Sequence, residues 1–150
     1  MRWNVGTTFP RPIRWVLALW GPKILPIKLA GLSSGRLTYG HRFLAPQSIA
    51  IKTADIRELE SKLKKAHVTL SFEKRVESVR QELLKWNQPE KIDEELIKMS
   101  AALTENPAFI LGQFDKRFLE LPEEILATSM RRHQKIFVLY DKKAGSVRPN

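Results

Sequence analysis

The order of sequence patterns along the chain predicts an α+β fold, with a mixed or antiparallel sheet packed against three to four helices in a single domain spanning residues 1–150. The first third has the aromatic and β-branched composition of strands, interrupted by Gly and Pro. Amphipathic stretches typical of helices follow, and the last third mixes extended and helical patterns. Strands and helices that are segregated along a chain, instead of alternating, are typical of the α+β class.

The first third is predicted to form a hairpin followed by loops. Two apolar stretches, 13–20 and 24–29, flank the turn residues 21–23, although Pro26 restricts the second strand to a sheet edge or a bulge. A glycine-rich segment then leads to a short predicted strand at 48–52. The stretch 13–20 is eight residues long, which is too short to span a bilayer, and we interpret it as a buried strand.

Helical patterns occupy the middle third. Thr53 and Ser71 are the predicted N-caps of the first two helices, and a third helix is expected from Asp93 to Leu103. Apolar residues recur at helical spacing in each of them. The residues expected on the buried faces are Ile56, Leu59, Leu63, Ala66, Phe72, Val76, Val79, Leu83, Leu96, Ile97 and Leu103.

The last third is expected to begin and end with extended chain. Residues 108–111 are apolar and stop at Gly112. Pro122 suits the first turn of a fourth helix, because the missing N–H of proline has no helical partner at that position. A strand at 136–140 and a turn at 141–146 complete the prediction.

Positive charge is concentrated at the start of the chain. Residues 1–54 contain eight Lys and Arg and no Asp or Glu, whereas residues 51–100 contain eleven basic and ten acidic residues. A local excess of this kind is typical of a phosphate-binding surface, so nucleic acid is the leading partner. The basic residues alternate with Pro, Gly and Trp and do not line one face of a helix, so we expect no membrane partner.

Two groups of side chains are the candidate nucleic-acid contacts. The first comprises Arg11, Arg14, Arg36, His41 and Arg42, and the second comprises Arg131, Arg132, His133 and Lys135. Arginine can grip a phosphate through two N–H donors, and the glycines in 35–42 let a backbone approach closely. The alternative for each group is structural: His41 and Arg42 hold an irregular turn, and Arg131 and Arg132 compensate a helix dipole.

Tryptophans of the first third are a further candidate feature, since an indole can stack on an unpaired base. We expect Trp15 to lie in the core because its neighbours alternate between polar and apolar. Of the three tryptophans in this segment, Trp3 is the one expected to be exposed, ahead of Trp20.

An enzymatic alternative rests on residues 31–35, which fit the G-x-S-x-G pattern of serine hydrolases with Ser33 as nucleophile. Asp115 and His133 follow in the order that those enzymes use. Such a nucleophile needs a helix directly after it, and Gly40 and Pro46 make the following residues a poor helix. The chain has no Cys, which excludes disulfides and thiolate metal sites and agrees with a reducing, cytoplasmic setting.

Several spaced motifs occur in order along nearly the whole chain. They are Met1-Arg2-Trp3, Phe9-x-Arg11-Pro12-x-x-Trp15, Gly35-Arg36-x-Thr38-x-Gly40-His41-Arg42-Phe43-Leu44, Glu105-x-Pro107, Gly112-x-Phe114, Phe118-Leu119-x-Leu121-Pro122 and Met130-x-x-His133-Gln134-Lys135-x-Phe137. As an ordered set they resemble the amino-terminal half of the beta subunit of bacterial glycyl-tRNA synthetase.

The resemblance implies that the chain is an internal fragment of a longer subunit in a glycine-tRNA ligase of protein biosynthesis. It implies two partners, tRNA(Gly) and an alpha subunit that binds ATP, with Mg, and glycine. The resemblance implies that the beta subunit serves mainly in tRNA recognition and in subunit assembly. We therefore expect no cofactor and no catalytic residue in this fragment. A structural module that docks on an acidic partner subunit remains the alternative.

Overall fold

The computed structural model describes residues 2–4, 7–8, 13–141 and 146–147 of the chain. Four α-helices and nine short strands lie in these ranges, so the predicted α+β class is confirmed. The chain divides into two compact units, residues 1–70 and 71–150. No helix in the described ranges is both long enough and apolar enough to cross a membrane.

The first unit holds the nine strands. Their bounds are β1 Arg2–Asn4, β2 Thr7–Thr8, β3 Val16–Leu17, β4 Leu19–Trp20, β5 Lys23–Ile24, β6 Lys28–Leu29, β7 Leu32–Gly35, β8 Leu37–Tyr39 and β9 Ser48–Ala50. The pairs β1 with β2, β4 with β5 and β8 with β9 are antiparallel. Strand β7 joins β3 in parallel and β6 in antiparallel orientation, which gives the mixed pairing that the sequence predicts.

The predicted hairpin forms around Gly21 and Pro22, but its strands are two residues long, with Trp20 opposite Lys23. Gly21 has a φ of +53°, which glycine adopts without strain. The chain does not continue this pairing through Pro26, because proline has no N–H to donate. The prediction of a single buried strand at 13–20 is wrong. The segment contains two short strands, β3 and β4, separated by one residue, and Trp20 is 74% exposed.

The helices match the predicted positions closely. They are α1 Ile56–Lys65, α2 Phe72–Leu84, α3 Glu94–Leu103 and α4 Glu123–Thr128, and α4 continues into a π-helical turn at Ser129–Gln134. Ser71 caps α2 as predicted, since its side chain accepts a hydrogen bond from the backbone N–H of Lys74 at 3.1 Å. The cap of α1 is Asp55 and not Thr53, because the Asp55 carboxylate accepts from the N–H of Arg57 at 2.8 Å.

The core of the second unit lies between α2 and α3. Val76, Val79, Leu83, Ile97 and Ala101 form it, with Ile92 and Phe137 packed against them. Most of the predicted inward positions are therefore confirmed, including Ala66 at the end of α1, whereas Ile56, Phe72 and Leu103 are exposed. Leu103 and Ile56, both expected to be buried, are 62% and 60% exposed, and each is the terminal residue of its helix.

An ion pair borders this core. The Arg80 guanidinium on α2 reaches Glu94 of α3 with 2.7 Å between Nη2 and Oε2, and its Nη1 lies 2.5 Å from the Glu77 carboxylate. Hydrogen bonding to Arg80 holds the pKa of Glu94 below its ordinary value. The charged form of the carboxylate is therefore the one that joins the two helices.

The final extended stretch is held by a side chain and not by a sheet. Residues 136–140 form no strand, and one antiparallel bridge joins Tyr140 to Val147. Asn87, which is buried, donates from Nδ2 to the carbonyl of Val138 at 2.8 Å and accepts at Oδ1 from the N–H of Tyr140 at 3.0 Å. The strand predicted at 136–140 is thus replaced by extended chain whose backbone bonds to a buried amide.

The substitution Val79→Asp tests the α2–α3 core. Val79 is 1% exposed, so the new carboxylate has no solvent and no partner, and we expect a loss of about 3 to 5 kcal/mol in the free energy of unfolding. Ser78→Asp is the matched control, because it adds the same charge at the neighbouring exposed position. Urea denaturation measures both, and an equal effect of the two substitutions would contradict the assigned helix face.

Candidate functional site

The first basic group is divided by a strand. Arg36 precedes β8 and His41 and Arg42 follow it, so residues expected in one loop lie at opposite ends of the Leu37–Tyr39 strand. Four residues separate Arg36 from His41, and the five Cα–Cα steps between them span up to about 17 Å when extended. The two ends of β8 therefore form separate positive positions on the first unit.

His41 organises the loop of residues 40–46, which we call the 40–46 loop. Its backbone N–H donates to the carbonyl of Ala66, the C-cap of α1, at 2.8 Å. Its imidazole Nδ1 accepts hydrogen bonds from the N–H groups of Phe43 and Leu44 at 3.3 and 3.2 Å. The Nδ1 atom of His41 therefore bonds within the loop, which is the structural role considered for this residue. The Arg42 side chain is exposed at the loop surface.

Gly40 sets how closely this loop approaches α1. A Cβ added at Gly40 would lie 2.4 Å from the Cβ of Ala66 and 2.8 Å from its carbonyl oxygen. Only a residue without a side chain fits there. The glycine is therefore required for packing, and its position fixes the hydrogen bond between His41 and Ala66.

Arg36 occupies the other end of β8, beside the β4–β5 turn. Its Nη2 donates to the carbonyl of Pro22 at 3.2 Å, and its own carbonyl accepts from the N–H of Ile51 at 2.9 Å. The turn carries Trp20, which is mostly exposed. This end of the strand therefore places a guanidinium next to a turn that carries an exposed indole.

Trp15 connects the preceding segment to β8. Its Nε1 donates to Thr38 Oγ1 at 3.3 Å, and its ring centroid lies 4.7 Å from that of Tyr39. Trp15 is 39% exposed, so the expectation of a core position is wrong. Arg14, the adjacent residue, is exposed. Arg11 lies outside the described residues.

One residue of the second basic group, Arg131, forms ion pairs within the fold. Arg131 pairs with Asp93, the N-cap of α3, and with Glu95 in the first turn of that helix, where Nη2 and Oε2 are 2.5 Å apart. Two carboxylates therefore compensate its charge, whereas the structural alternative expects Arg131 to compensate a helix dipole. Arg132, His133 and Lys135 are exposed, and Lys135 ends the π-helical turn with a φ of +56°.

The hydrolase alternative is not supported by the fold. Ser33 lies inside β7, paired with Lys28 of β6, and the next element is the strand β8 and not a helix. The Asp115 carboxylate caps the helical turn that follows it, since it accepts a hydrogen bond from the N–H of Arg117 at 3.0 Å. Within the described ranges, no cluster of three or more His, Cys, Asp or Glu is placed to hold a metal ion.

The sequence does not predict the high exposure of two aromatic residues of the first unit. Phe43 is 82% exposed in the 40–46 loop, and Trp20 at the end of β4 is 74% exposed although Trp3 is the tryptophan expected to be exposed. The side chain of Trp3 lies outside the described residues. For Trp20 the signal was available, since a Gly-Pro turn directly follows it. Phe43 lies in a segment without periodicity, so its exposure depends on how the loop packs on α1.

Comparison with known proteins gives a consistent result. The family model described as glycyl-tRNA synthetase beta subunit matches residues 1–150. The chain is 41% identical to the glycine-tRNA ligase beta subunit of Myxococcus xanthus over 99% of its own length, and 37% identical to that of Chromohalobacter salexigens over 99%. Similarity to the Rickettsia felis beta subunit is 36% identity over 90% of the chain. The chain spans 22%, 22% and 21% of the length of these relatives, respectively.

Gly40→Ala tests the contact between the 40–46 loop and α1. The methyl group would overlap the backbone and side chain of Ala66, so we expect the free energy of unfolding of the first unit to fall by about 1 to 3 kcal/mol. Gly35→Ala is the control, because an added Cβ there meets no atom within 4 Å. Thermal and urea denaturation of both variants provide the measurement, and an undisturbed Gly40→Ala protein would refute the close approach.

Arg131→Gln tests the structural role of the second basic group. The ion pairs with Asp93 and Glu95 are partly exposed, so we expect the loss of both to cost about 1 kcal/mol of stability. The neighbouring Arg132→Gln removes the same charge from an exposed side chain and is expected to change stability little. Urea denaturation at low salt compares the two, and equal effects would argue against an Arg131-specific role.

Proposed function

Because the chain belongs to the glycyl-tRNA synthetase beta subunit family, we propose that it contributes recognition of tRNA(Gly) to the ATP-dependent glycylation of tRNA. The observation that carries this proposal is the absence of Asp and Glu from residues 1–54, combined with guanidinium groups at both ends of β8. The proposed contacts are made mainly by Arg36 and Arg42, with exposed Arg14 as a further candidate and His41 holding the loop.

Electrostatics supports a phosphate ligand. The acidic residues of the first unit begin at Asp55, and they are engaged locally: Asp55 caps α1, and Glu58 lies 2.7 Å from the Lys62 ammonium. The described strands and loops before Asp55 therefore carry basic side chains and no Asp or Glu of their own. Such a surface attracts nucleic acid and orients it through backbone contacts, whereas base contacts supply specificity.

The division of labour in the proposed enzyme leaves catalysis elsewhere. We assign ATP, with its Mg, and glycine to the alpha subunit, and the proposed site of action is the cytoplasm. The sequence of this chain has no G-x-x-x-x-G-K phosphate-binding motif, which agrees with that assignment. The region is then a part of a ligase that positions tRNA and takes no chemical step itself.

Subunit assembly is the second proposed role, and a specific surface of the second unit favours it. Phe109, Ile110 and Leu111 are exposed, with Ile110 at 95%, and they border a cavity of about 710 Å³ that Trp86 and Ile136 also line. Apolar side chains exposed as a group are typical of surfaces that another protein covers. This role differs from the alternative in which the basic surface docks on an acidic partner subunit, because the surface proposed here is apolar.

Substitution of the two guanidinium groups in the complete synthetase tests the tRNA proposal. Arg36→Gln and Arg42→Gln should each weaken tRNA(Gly) binding and flatten the dependence of log affinity on log salt by about 0.7 to 1, because one phosphate contact is lost in each. Filter binding or fluorescence anisotropy over a salt series gives both quantities. Melting curves of each variant are recorded as well, because Arg36 also bonds to the carbonyl of Pro22.

Lys98→Gln is the control, since this exposed lysine of α3 belongs to the charge-balanced part of the chain. It is expected to leave affinity and salt slope nearly unchanged. If the three variants bind tRNA(Gly) equally, or if the two arginine variants lose subunit assembly but bind tRNA like the parent enzyme, the basic surface does not recognise tRNA.

A further inference from the structure

The Phe43 ring is displayed at the surface and contributes nothing to a core. Phe43 is 82% exposed, and its neighbour Leu44 is 58% exposed. The Arg42 guanidinium carbon lies over the ring, 5.7 Å from its centroid, and the imidazole of His41 lies 6.3 Å away at a tilt of 54°. One face of the ring is thus backed by a cation, and its exposure leaves the other face open to solvent.

The backbone under this ring is fixed by several hydrogen bonds. The His41 Nδ1 accepts from the N–H of Phe43 itself, and the His41 carbonyl accepts from the N–H of Ala45 at 2.9 Å. The loop is attached to the end of α1 through the bond from His41 to the Ala66 carbonyl. An aromatic side chain on an ordered backbone loses little conformational freedom when a ligand covers it, which favours binding.

From this arrangement we propose that Phe43 is a stacking platform for one unpaired base of RNA, with Arg42 contacting the adjacent phosphate. The inference rests on the proposed function and identifies a contact that charge alone does not supply. A base and a phenyl ring both offer flat π faces, and stacking of this kind is a general mode of binding single-stranded nucleic acid. The base takes the open face while the guanidinium remains at the other.

The charge of the loop favours RNA over a protein as the occupant. An apolar ring that docks into a protein pocket is desolvated, and the Arg42 cation beside it would have to be desolvated as well, at a large cost unless it is paired. A phosphate next to a stacked base meets that cation directly. The complete absence of carboxylates from residues 1–54 keeps the approach of a polyanion favourable.

The test uses the complete synthetase and measures binding of two probes, tRNA(Gly) and a short single-stranded oligoadenylate. Phe43→Leu keeps an apolar side chain but removes the ring, and we expect it to weaken binding of both probes about 5- to 150-fold. The salt slope should stay that of the parent enzyme, because no charge is lost. Phe43→Trp keeps a π face and should retain binding, with its added indole fluorescence quenched by oligoadenylate.

Ile56→Ala is the matched control, because it truncates another exposed apolar side chain of the same unit and should leave binding unchanged. Sedimentation of each variant reports whether alpha and beta subunits still assemble. The proposal is overturned if Phe43→Leu binds both probes like the parent enzyme, or if its only defect is loss of assembly, which would make Phe43 a protein contact.

Failure of this inference is distinguishable from failure of the proposed function. If Arg36→Gln and Arg42→Gln weaken tRNA binding while Phe43→Leu does not, the surface binds RNA through phosphates alone and the platform is refuted. If neither the arginines nor Phe43 affects binding of tRNA, both proposals fall together.

Discussion

The first unit depends on one close contact, between Gly40 and the end of α1 at Ala66. A helix has unpaired carbonyls at its C-terminus, and here the N–H of His41 satisfies the carbonyl of Ala66. The same residue then uses its imidazole to accept two backbone N–H groups of the loop. These hydrogen bonds join a helix end and a loop whose backbone groups would otherwise bond to solvent. The close approach leaves no space for a side chain at residue 40.

That contact also explains the separation of the basic residues. Strand β8 runs between the anchored loop and Arg36, and α1 extends for ten residues, about 15 Å, within the same unit. Positive groups are therefore distributed along an element instead of gathered in one loop. An extended ligand with regularly repeated charges suits such a surface better than a single small anion does.

The sequence predicts some parts of this molecule well because local physics determines them. Ser71 caps α2 through its own hydroxyl, and the spacing of Val76, Val79 and Leu83 alone places them on one face. The burial of a terminal residue such as Leu103 depends on where the element that packs against its helix ends, and helical periodicity does not determine that point. The short strands were predicted poorly because strand pairing is non-local: β3 joins β7 across a hairpin, and no pattern within β3 specifies that partner.

The sequence supplies candidate residues for the site but not their arrangement. Charge segregation is visible in the sequence, so basic residues of the first third can be proposed as contacts from it alone. What each basic residue bonds to cannot be predicted in this way, since Arg131 needs Asp93 and Glu95 from a distant helix to reveal its structural role. The exposure of Phe43 likewise follows from the docking of its loop.

The amide of Asn87 has a consequence for the order in which the chain can fold during synthesis. Its bond to the Val138 carbonyl closes a separation of 51 residues, and at a synthesis rate of about 5 to 20 residues per second that partner is made roughly 3 to 10 s later. In the first unit, β8 and β9 pair across a short loop, so that pairing forms after a much shorter wait. A nascent chain therefore passes through a period in which the apolar side of α2 has α3 as a partner but not yet Phe137, and chaperone contacts are expected to concentrate in that interval.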